Sequence, residues 1–135
     1  MRRGAFIAFE GIDGSGKSTQ SRVLADRIQA AGQTVILTRE PGGTPIGEAI
    51  RSLLFDRQLG DFEPRTEALL HGAARAQHVA QVIAPGIERG DVVITDRFID
   101  STLAYQGGGN HLSLVDLESI QAFAVQDTFP DLRIL

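Results

Sequence analysis

The chain has 135 residues, 42% hydrophobic and 22% charged, a composition typical of one globular domain and not of a disordered segment. With a formal net charge of −4, the chain lacks the excess of basic residues that is typical of a nucleic-acid binder. The absence of cysteine excludes disulfides, thiolate zinc sites and a cysteine nucleophile. No apolar run is long enough for a membrane span, and the N-terminus does not resemble a secretory signal, so we expect a cytoplasmic protein without a membrane partner.

Short apolar runs alternate with longer amphipathic segments along the chain. The runs typical of buried strands are residues 5–9, 34–38, 91–95 and 131–135. Helical spacing predicts helices at about residues 17–31, at 46–55, from 64 into the 79–83 region, and at 114–125. We expect Pro85 to end or kink the long third helix.

Strands that alternate with helices predict an α/β fold, with a parallel sheet covered by helices on both faces. We assign residues 1–135 to a single domain of this kind. In such folds the ligand binds beyond the carboxyl ends of the strands. The chain stops inside the fourth predicted strand, so we expect it to be the N-terminal portion of a longer protein.

A glycine-rich turn follows the first strand. Residues 11–18 read GIDGSGKS, which fits the phosphate-binding pattern G-x-x-x-x-G-K-[ST] without a mismatch. In this pattern backbone N–H groups surround phosphate oxygens, the lysine reaches the β- and γ-phosphates, and the hydroxyl ligates Mg²⁺. The pattern therefore predicts a nucleoside triphosphate site; the alternative is a glycine turn with a solvated lysine. The predicted contacts are Gly11, Ile12, Asp13, Gly14, Ser15, Gly16, Lys17, Ser18 and Thr19.

An acidic and a basic residue, Asp96 and Arg97, follow the third strand. This pair suits phosphoryl transfer to a second anionic substrate, because Asp96 can orient Mg²⁺ together with Ser18 while Arg97 bridges donor and acceptor phosphates. We predict that Lys17, Asp96 and Arg97 are the catalytic residues. The alternative is a salt bridge at the end of the strand. A guanine-reading switch is disfavoured, because no Asn-Lys-x-Asp sequence occurs.

Four sequence segments, in order, carry a specific resemblance: FEGIDGSGKST at 9–19, TREPGG at 38–43, DRFIDS at 96–101 and LAYQG at 103–107. Together they resemble the thymidylate kinases over essentially the whole chain. The resemblance implies a three-layer P-loop nucleoside monophosphate kinase fold, truncated so that the family's lid and much of its adenine-binding part lie beyond residue 135. It also implies a cytoplasmic homodimer that phosphorylates dTMP to dTDP with ATP and Mg²⁺, in dTTP biosynthesis.

The resemblance also implies roles for substrate-binding residues. Asp13 would meet the deoxyribose 3′-hydroxyl, and Pro41 corresponds to the loop proline of the acceptor site. Both a cis and a trans Glu40–Pro41 bond are open alternatives there. The candidates for the dTMP phosphate are Arg39, Arg51 and Arg97, whose guanidinium forks match phosphate oxygens. For Arg39 the alternative is a structural loop arginine.

Further roles concern the nucleoside. The resemblance places Arg75, Gln106 and Thr102 at the thymine edge. It places Tyr105 beside the 2′ position of the sugar, where its ring would disfavour ribonucleotides. The alternatives are a solvated helix arginine for Arg75 and a core residue for Tyr105. His71 stands where the family usually offers a phenylalanine to stack on the base; an imidazole buries less apolar area and is expected to titrate near neutrality.

The remaining features of the sequence are the absence of an arginine from the glycine-rich turn, two further histidines and a run of three glycines. The glycine-rich turn carries no arginine, so the resemblance is to the bacterial type whose catalytic arginine comes from the lid. His78 and His111 have no partners at metal-ligand spacing, and we interpret both as surface or interface residues. Residues 107–109, all glycine, are interpreted as a flexible loop or hinge. The alternative functions are another deoxynucleotide or deoxynucleoside kinase, and a non-catalytic P-loop nucleotide-binding module.

Overall fold

A computed structural model describes residues 2–12 and 14–135 of the chain. Within them, four strands form one parallel sheet in the order β2-β3-β1-β4. The strands are β1 (Ala5–Phe9), β2 (Val35–Arg39), β3 (Val92–Asp96) and β4 (Leu132–Ile134). All of the predicted strands are confirmed, with β2 and β3 lying slightly later in the chain than expected.

The helices of the described residues are α1 (Lys17–Ala30), α2 (Pro45–Leu54), α3 (Pro64–His78), α4 (Ala84–Arg89), α5 (Ile99–Thr102) and α6 (Leu114–Val125). The four predicted helices are confirmed as α1, α2, α3 and α6, and the structure adds two short helices that were not predicted, α4 and α5. Local sequence explains where some begin. The Thr44 hydroxyl accepts a hydrogen bond from the Gly47 N–H at 2.8 Å, and Pro45 occupies the first turn of α2, where its missing N–H costs nothing.

Pro85 does not end the long helix, which corrects that part of the expectation. A π-helical turn at Val79–Ile83 joins α3 to α4, and the helical course continues past Pro85 to Arg89. A π turn shifts hydrogen-bond pairing by one residue and so accommodates a proline that cannot donate to the preceding turn.

The interpretation of residues 107–109 as a flexible loop is wrong. A second π-helical segment, Leu103–Gly109, extends α5 through all three glycines. The Asn110 and Leu112 N–H groups donate to the carbonyls of Tyr105 and Gln106, which closes the segment. A Cβ at position 107 would approach a Leu114 side-chain atom to 2.9 Å, so this glycine permits close packing against α6.

Successive side chains of β1 point to opposite faces of the sheet, and the core is therefore divided into two apolar clusters. Phe6 and Ala8 pack against the helical segments of residues 79–87 and against α6, while Ile7 and Phe9 pack against α1. Helices therefore cover both faces of the sheet, as the alternation of strands and helices predicts. Within the described part of the chain, no helix has both the length and the apolar character that a membrane crossing requires.

The strand register determines where the site lies. Phe9, Arg39 and Asp96 are paired partners at the carboxyl ends of β1, β2 and β3. Backbone hydrogen bonds continue one residue further, because the Glu40 N–H donates to the Asp96 carbonyl at 2.9 Å and the Arg97 N–H donates to the Phe9 carbonyl at 2.8 Å. The polar residues that follow each strand therefore meet at a single edge of the sheet.

Candidate active site

The glycine-rich turn leads directly into the N-terminus of α1. Gly14 and Gly16 have φ values of 81° and 88°, a left-handed conformation that side-chain-bearing residues rarely adopt. Gly16 is the N-cap of α1 and has no side-chain cap, so the first N–H groups of the helix are available to an anion. Asp13 lies outside the described residues, and its predicted contact with the sugar stays a prediction.

Lys17, Ser18 and Asp96 come together as the sequence predicts. The Ser18 hydroxyl donates to Asp96 Oδ2 at 2.9 Å, and Lys17 Nζ lies 3.8 Å from Asp96 Oδ1. Asp96 Oδ1 is buried and has no hydrogen-bond partner among the described residues. A hydroxyl oxygen beside a carboxylate with an unsatisfied buried oxygen is a donor set that suits Mg²⁺.

A cavity of about 520 Å³ opens above this group. It is bounded by the glycine-rich turn of residues 11–18 (the P-loop), by the loop after β2, by α2 and by the end of β3. Its lining residues are Gly14, Gly16, Lys17, Ser18, Thr19, Arg39, Glu40, Pro41, Arg51, Phe55, Asp96 and Arg97. Three other predicted P-loop contacts are not part of this lining: Gly11, Ile12, whose side chain is exposed, and Ser15.

Several arginines line this cavity, which is the larger of two cavities at the site. Arg39 donates to Glu48 Oε1 at 2.8 Å, and Arg51 donates to the Pro41 carbonyl at 2.9 Å. Burial lowers the pKa of Arg51, and the positive charges of Arg39 and Arg97 lower it further. Guanidinium groups that repel one another in this way favour binding of an anion between them.

Arg97 lines the larger cavity and occupies a strained turn. Its φ is 75°, a conformation that is uncommon for a residue other than glycine. Its guanidinium carbon lies 5.3 Å from the ring centroid of Tyr105, within range of a cation–π contact. Backbone strain of this kind persists only where surrounding contacts enforce it.

Glu10, which was not predicted as a functional residue, supplies those contacts. Its buried carboxylate accepts hydrogen bonds from the N–H groups of Phe98 and Asp100 at 3.0 Å each. It also accepts from the N–H of Ser101 at 3.3 Å and from its hydroxyl at 2.6 Å. Glu10 thus caps the N-terminus of α5 and fixes the turn that carries Arg97. An acidic residue directly after β1, at the ligand edge, was the signal that could have identified it.

A smaller cavity of about 220 Å³ adjoins the first and shares Glu40, Pro41, Phe55 and Arg97 with it. Its remaining lining residues come from α3, α5 and the following π-helical segment: Glu67, His71, Arg75, Ser101, Thr102, Tyr105 and Gln106. Among the described residues, the fold therefore brings together those predicted for the base and for the 2′ position of the sugar: His71, Arg75, Thr102, Tyr105 and Gln106. Four other lining residues were not predicted as site residues: Glu40, Phe55, Glu67 and Ser101.

Hydrogen bonds hold two polar side chains in place at the wall of the smaller cavity. Gln106 is buried and its Nε2 donates to Glu67 Oε1 at 3.2 Å, which leaves its side-chain oxygen as an acceptor for a ligand. Thr102 Oγ1 accepts from Arg75 Nη1 at 2.8 Å. Tyr105 is 41% exposed, so the interpretation of this residue as core is excluded.

Arg75 is not a solvated helix arginine, because only 3% of it is exposed. Its Nε donates to Glu40 Oε1 at 2.6 Å, and its Nη2 donates to the Phe98 carbonyl at 3.0 Å. Its Nη1 also donates to Gln121 Oε1 on α6. The guanidinium thus links α3 to the loop after β2, to α5 and to α6.

The expectation that His71 titrates near neutrality is wrong. Burial lowers the pKa of His71 to about 4, the positive charges of Arg75 and Arg97 contribute in the same direction, and Glu40 opposes them only in part. The imidazole is therefore neutral at physiological pH, and it presents an uncharged ring to the smaller cavity.

The pKa of His71 predicts a component of acid sensitivity. Because the folded pKa lies below the usual value of 6.5, the unfolded chain binds the extra proton as the pH falls from 6.5 towards 4, and stability is lost across that window. His71→Phe is expected to flatten the fall in Tm between pH 6.5 and 4.5. The control is His111→Asn, at an exposed position whose φ of 58° asparagine tolerates. Parallel Tm curves for His71→Phe and the parent protein would contradict the assignment.

His78 is neither a surface nor an interface residue of the chain, which corrects the sequence interpretation. It is fully buried, with Nδ1 2.7 Å from Glu40 Oε2 and Nε2 2.7 Å from Thr38 Oγ1. Its partners lie far away in sequence, so spacing could not reveal them. His111 is exposed, as expected. No group of three or more His, Cys, Asp or Glu side chains among the described residues is arranged to hold a metal ion.

A parallel sheet with a glycine-rich turn, a lysine at the start of α1 and an aspartate at the end of β3 defines a P-loop nucleotide-binding protein of the nucleoside monophosphate kinase fold. The sequence model of the thymidylate kinase family matches residues 9–135. The chain therefore belongs to the thymidylate kinase family.

Sequence similarity to individual thymidylate kinases supports the same family assignment. The chain is 52% identical over 131 residues to a thymidylate kinase of Bifidobacterium longum strain NCC 2705, covering 95% of this chain and 64% of that protein. It is 51% identical over 133 residues to one of Pelotomaculum thermopropionicum, covering 98% of this chain and 62% of the relative. The chain thus spans somewhat less than two thirds of these relatives' length.

A solved structure shows the same architecture. The crystal structure of thymidylate kinase from Ehrlichia chaffeensis superposes with a TM-score of 0.90 at 41% sequence identity. The match covers 97% of this chain and 73% of that one. The order of strands and helices described above is thus shared with a thymidylate kinase.

Proposed function

We propose that the protein transfers the γ-phosphoryl group of ATP to dTMP and so forms dTDP for dTTP biosynthesis. The observation that carries the proposal is the junction of two cavities at Arg97: the larger one has a P-loop cradle and the smaller one has a polar wall suited to a base. Membership of the thymidylate kinase family supports this choice of acceptor.

The donor phosphates would occupy the larger cavity. Lys17 would bind the β- and γ-phosphate oxygens, and the N–H groups of Gly14–Thr19 would surround them, assisted by the N-terminus of α1. Ser18 and Asp96 would hold Mg²⁺, which when bound neutralises charge on the phosphates. Arg97 would contact donor and acceptor phosphates together and hold them in line for transfer.

The acceptor would lie between Arg97 and the smaller cavity. We propose that Arg51 and Arg39 bind its phosphate beside Pro41, and that Arg39 exchanges its contact with Glu48 for that phosphate. Arg75, Gln106 and Thr102 would face the base edge and His71 its ring face. Tyr105 would exclude a 2′-hydroxyl, and Asp13 would accept a hydrogen bond from the 3′-hydroxyl.

The test is product formation by the complete protein. It is incubated with ATP and Mg²⁺ and with each common nucleoside monophosphate in turn, and diphosphate is separated by chromatography. We expect dTDP as the dominant product. Preferred phosphorylation of another deoxynucleotide, or of a nucleoside, would select the first alternative. ATP binding without transfer to any acceptor would select a nucleotide-binding module.

We further propose that the protein is a cytoplasmic homodimer. The structural support is the exposure of large apolar side chains on two helices that pack together: Phe123 and Val115 of α6 are 81% and 71% exposed, and Leu69 of α3 is 57% exposed. Large exposed apolar side chains on neighbouring helices favour association with another apolar surface. Sedimentation is expected to show a dimer for the parent protein and a monomer for Phe123→Asp; a monomeric parent protein would contradict the proposal.

A further inference from the structure

A buried polar network connects the loop after β2 to α3, and the proposed chemistry does not use its central histidine. The network comprises Thr38, Glu40, Arg75 and His78. Glu40, Arg75 and His78 are 5%, 3% and 0% exposed. Buried polar groups at this depth are costly unless each is satisfied, so a fully connected chain of them constrains geometry strongly.

The contacts show which groups of the network donate hydrogen bonds and which accept them. Burial by itself raises the pKa of the Glu40 carboxyl, but Arg75 and His78 together hold that pKa below its usual value, so the group is a carboxylate. A carboxylate only accepts hydrogen bonds, and His78 Nδ1 must therefore donate to Glu40 Oε2 across 2.7 Å. With that oxygen occupied, Oε1 receives the Nε–H of Arg75 at 2.6 Å.

The other contacts of Arg75 leave little freedom to its guanidinium. Nη1 donates to Thr102 and Gln121, and Nη2 donates to the Phe98 carbonyl. A guanidinium has five N–H groups, and these bonds with the one to Glu40 engage all but one, on Nη2. Since Arg75 also lines the smaller cavity, that remaining donor is the one offered to a ligand.

The histidine ring also supports the loop that separates the two cavities. A Cβ at Gly43 would come within 2.5 Å of His78 Cδ2 and Nε2, so the loop lies directly against the ring. Glu40 and Pro41, three and two residues before this glycine, line both cavities. His78 thus contacts this loop through a side chain, Glu40, and through its backbone at Gly43.

We propose that His78 is a positioning residue for the acceptor: it holds the Glu40 carboxylate, which in turn sets the Arg75 guanidinium at the wall of the smaller cavity. The proposal rests on the proposed function of that cavity. His78 itself does not line either cavity, and it acts only through Glu40, Arg75 and the loop.

The experiment compares variants of the complete protein by steady-state kinetics. His78→Leu keeps the apolar bulk and removes both ring nitrogens. It is expected to raise the KM for dTMP about tenfold or more, while the KM for ATP changes by less than about threefold. His78→Asn places an amide donor near the position of Nδ1 and is expected to restore most of the affinity for dTMP. His78→Gln places its amide nearer to Nε2 and is expected to resemble His78→Leu.

A matched control separates positioning from simple destabilisation. Val79→Ala truncates the neighbouring buried residue, which belongs to the apolar core and not to the network. It is expected to lower Tm with both KM values unchanged. Equal KM values for dTMP in His78→Asn and His78→Gln would overturn the proposal, even if His78→Leu does not fold. So would a parallel rise of both KM values in His78→Leu. A parent protein that prefers another monophosphate contradicts only the proposed function, and the variants are then compared with that acceptor.

Discussion

Replacing Lys17 with alanine is expected to reduce kcat for phosphoryl transfer by about 10²–10³-fold or more. A positive charge that is held in place beside the phosphates stabilises the negative charge that develops on them in the transition state, and such a group typically contributes that much. Lys17 is the only lysine among the 135 residues, so no other lysine in this sequence can replace it. Its Nζ is held close to Asp96 at the floor of the larger cavity, where it is positioned before the donor binds.

The measurement is the single-turnover rate at saturating ATP and dTMP, together with thermal unfolding to verify the fold. Lys17→Arg retains charge but replaces the compact ammonium by a planar fork, and it is expected to restore only part of the rate. Arg27→Ala removes an exposed cation from the last turn of the same helix and is expected to behave as the parent protein does. Turnover of Lys17→Ala within tenfold of the parent protein would contradict the assignment of the P-loop.

The second large effect is expected for Arg97→Ala, which should lower kcat/KM for dTMP by about 10²–10³ while the Kd for ATP changes less than about threefold. Arg97 lies where the two cavities meet, and a guanidinium there can contact both phosphates only when both substrates are bound. Its contribution is therefore greatest in the transition state.

The design must separate the side chain from its unusual backbone. Arginine and alanine pay a similar cost at a φ of 75°, so Arg97→Ala adds little strain to the turn. Arg97→Lys keeps a positive charge without the fork and is expected to be intermediate. ATP titration by calorimetry and steady-state kinetics with dTMP are run on the same preparations. Equal, small losses in both quantities would mean that Arg97 serves only as an ion-pair partner.

The amino-acid pattern was enough to predict the strands of the sheet and the residues that meet on the proposed donor side of the site. Periodicity located the strands and α6, and the residues around Lys17 and Ser18 carry their chemistry in a contiguous pattern. The pairing of Ser18 with Asp96 followed because parallel strands end at one edge of a sheet, so residues that follow different strands must meet there. Those predictions depended on local spacing and on one topological rule.

The burial and the partners of isolated polar residues could not be predicted in this way. His78, Glu40 and Glu10 gain their roles from contacts with residues far away in the chain, and no local pattern encodes such pairing. His71 becomes neutral because the fold buries it beside Arg75, an environment that its own neighbours in sequence do not reveal. Pro85 stays within a helical course because the preceding turn changes its hydrogen bonding, which propensity rules do not anticipate. Sequence specifies which groups are present and their local geometry, whereas desolvation and long-range hydrogen bonds arise only once the chain has packed.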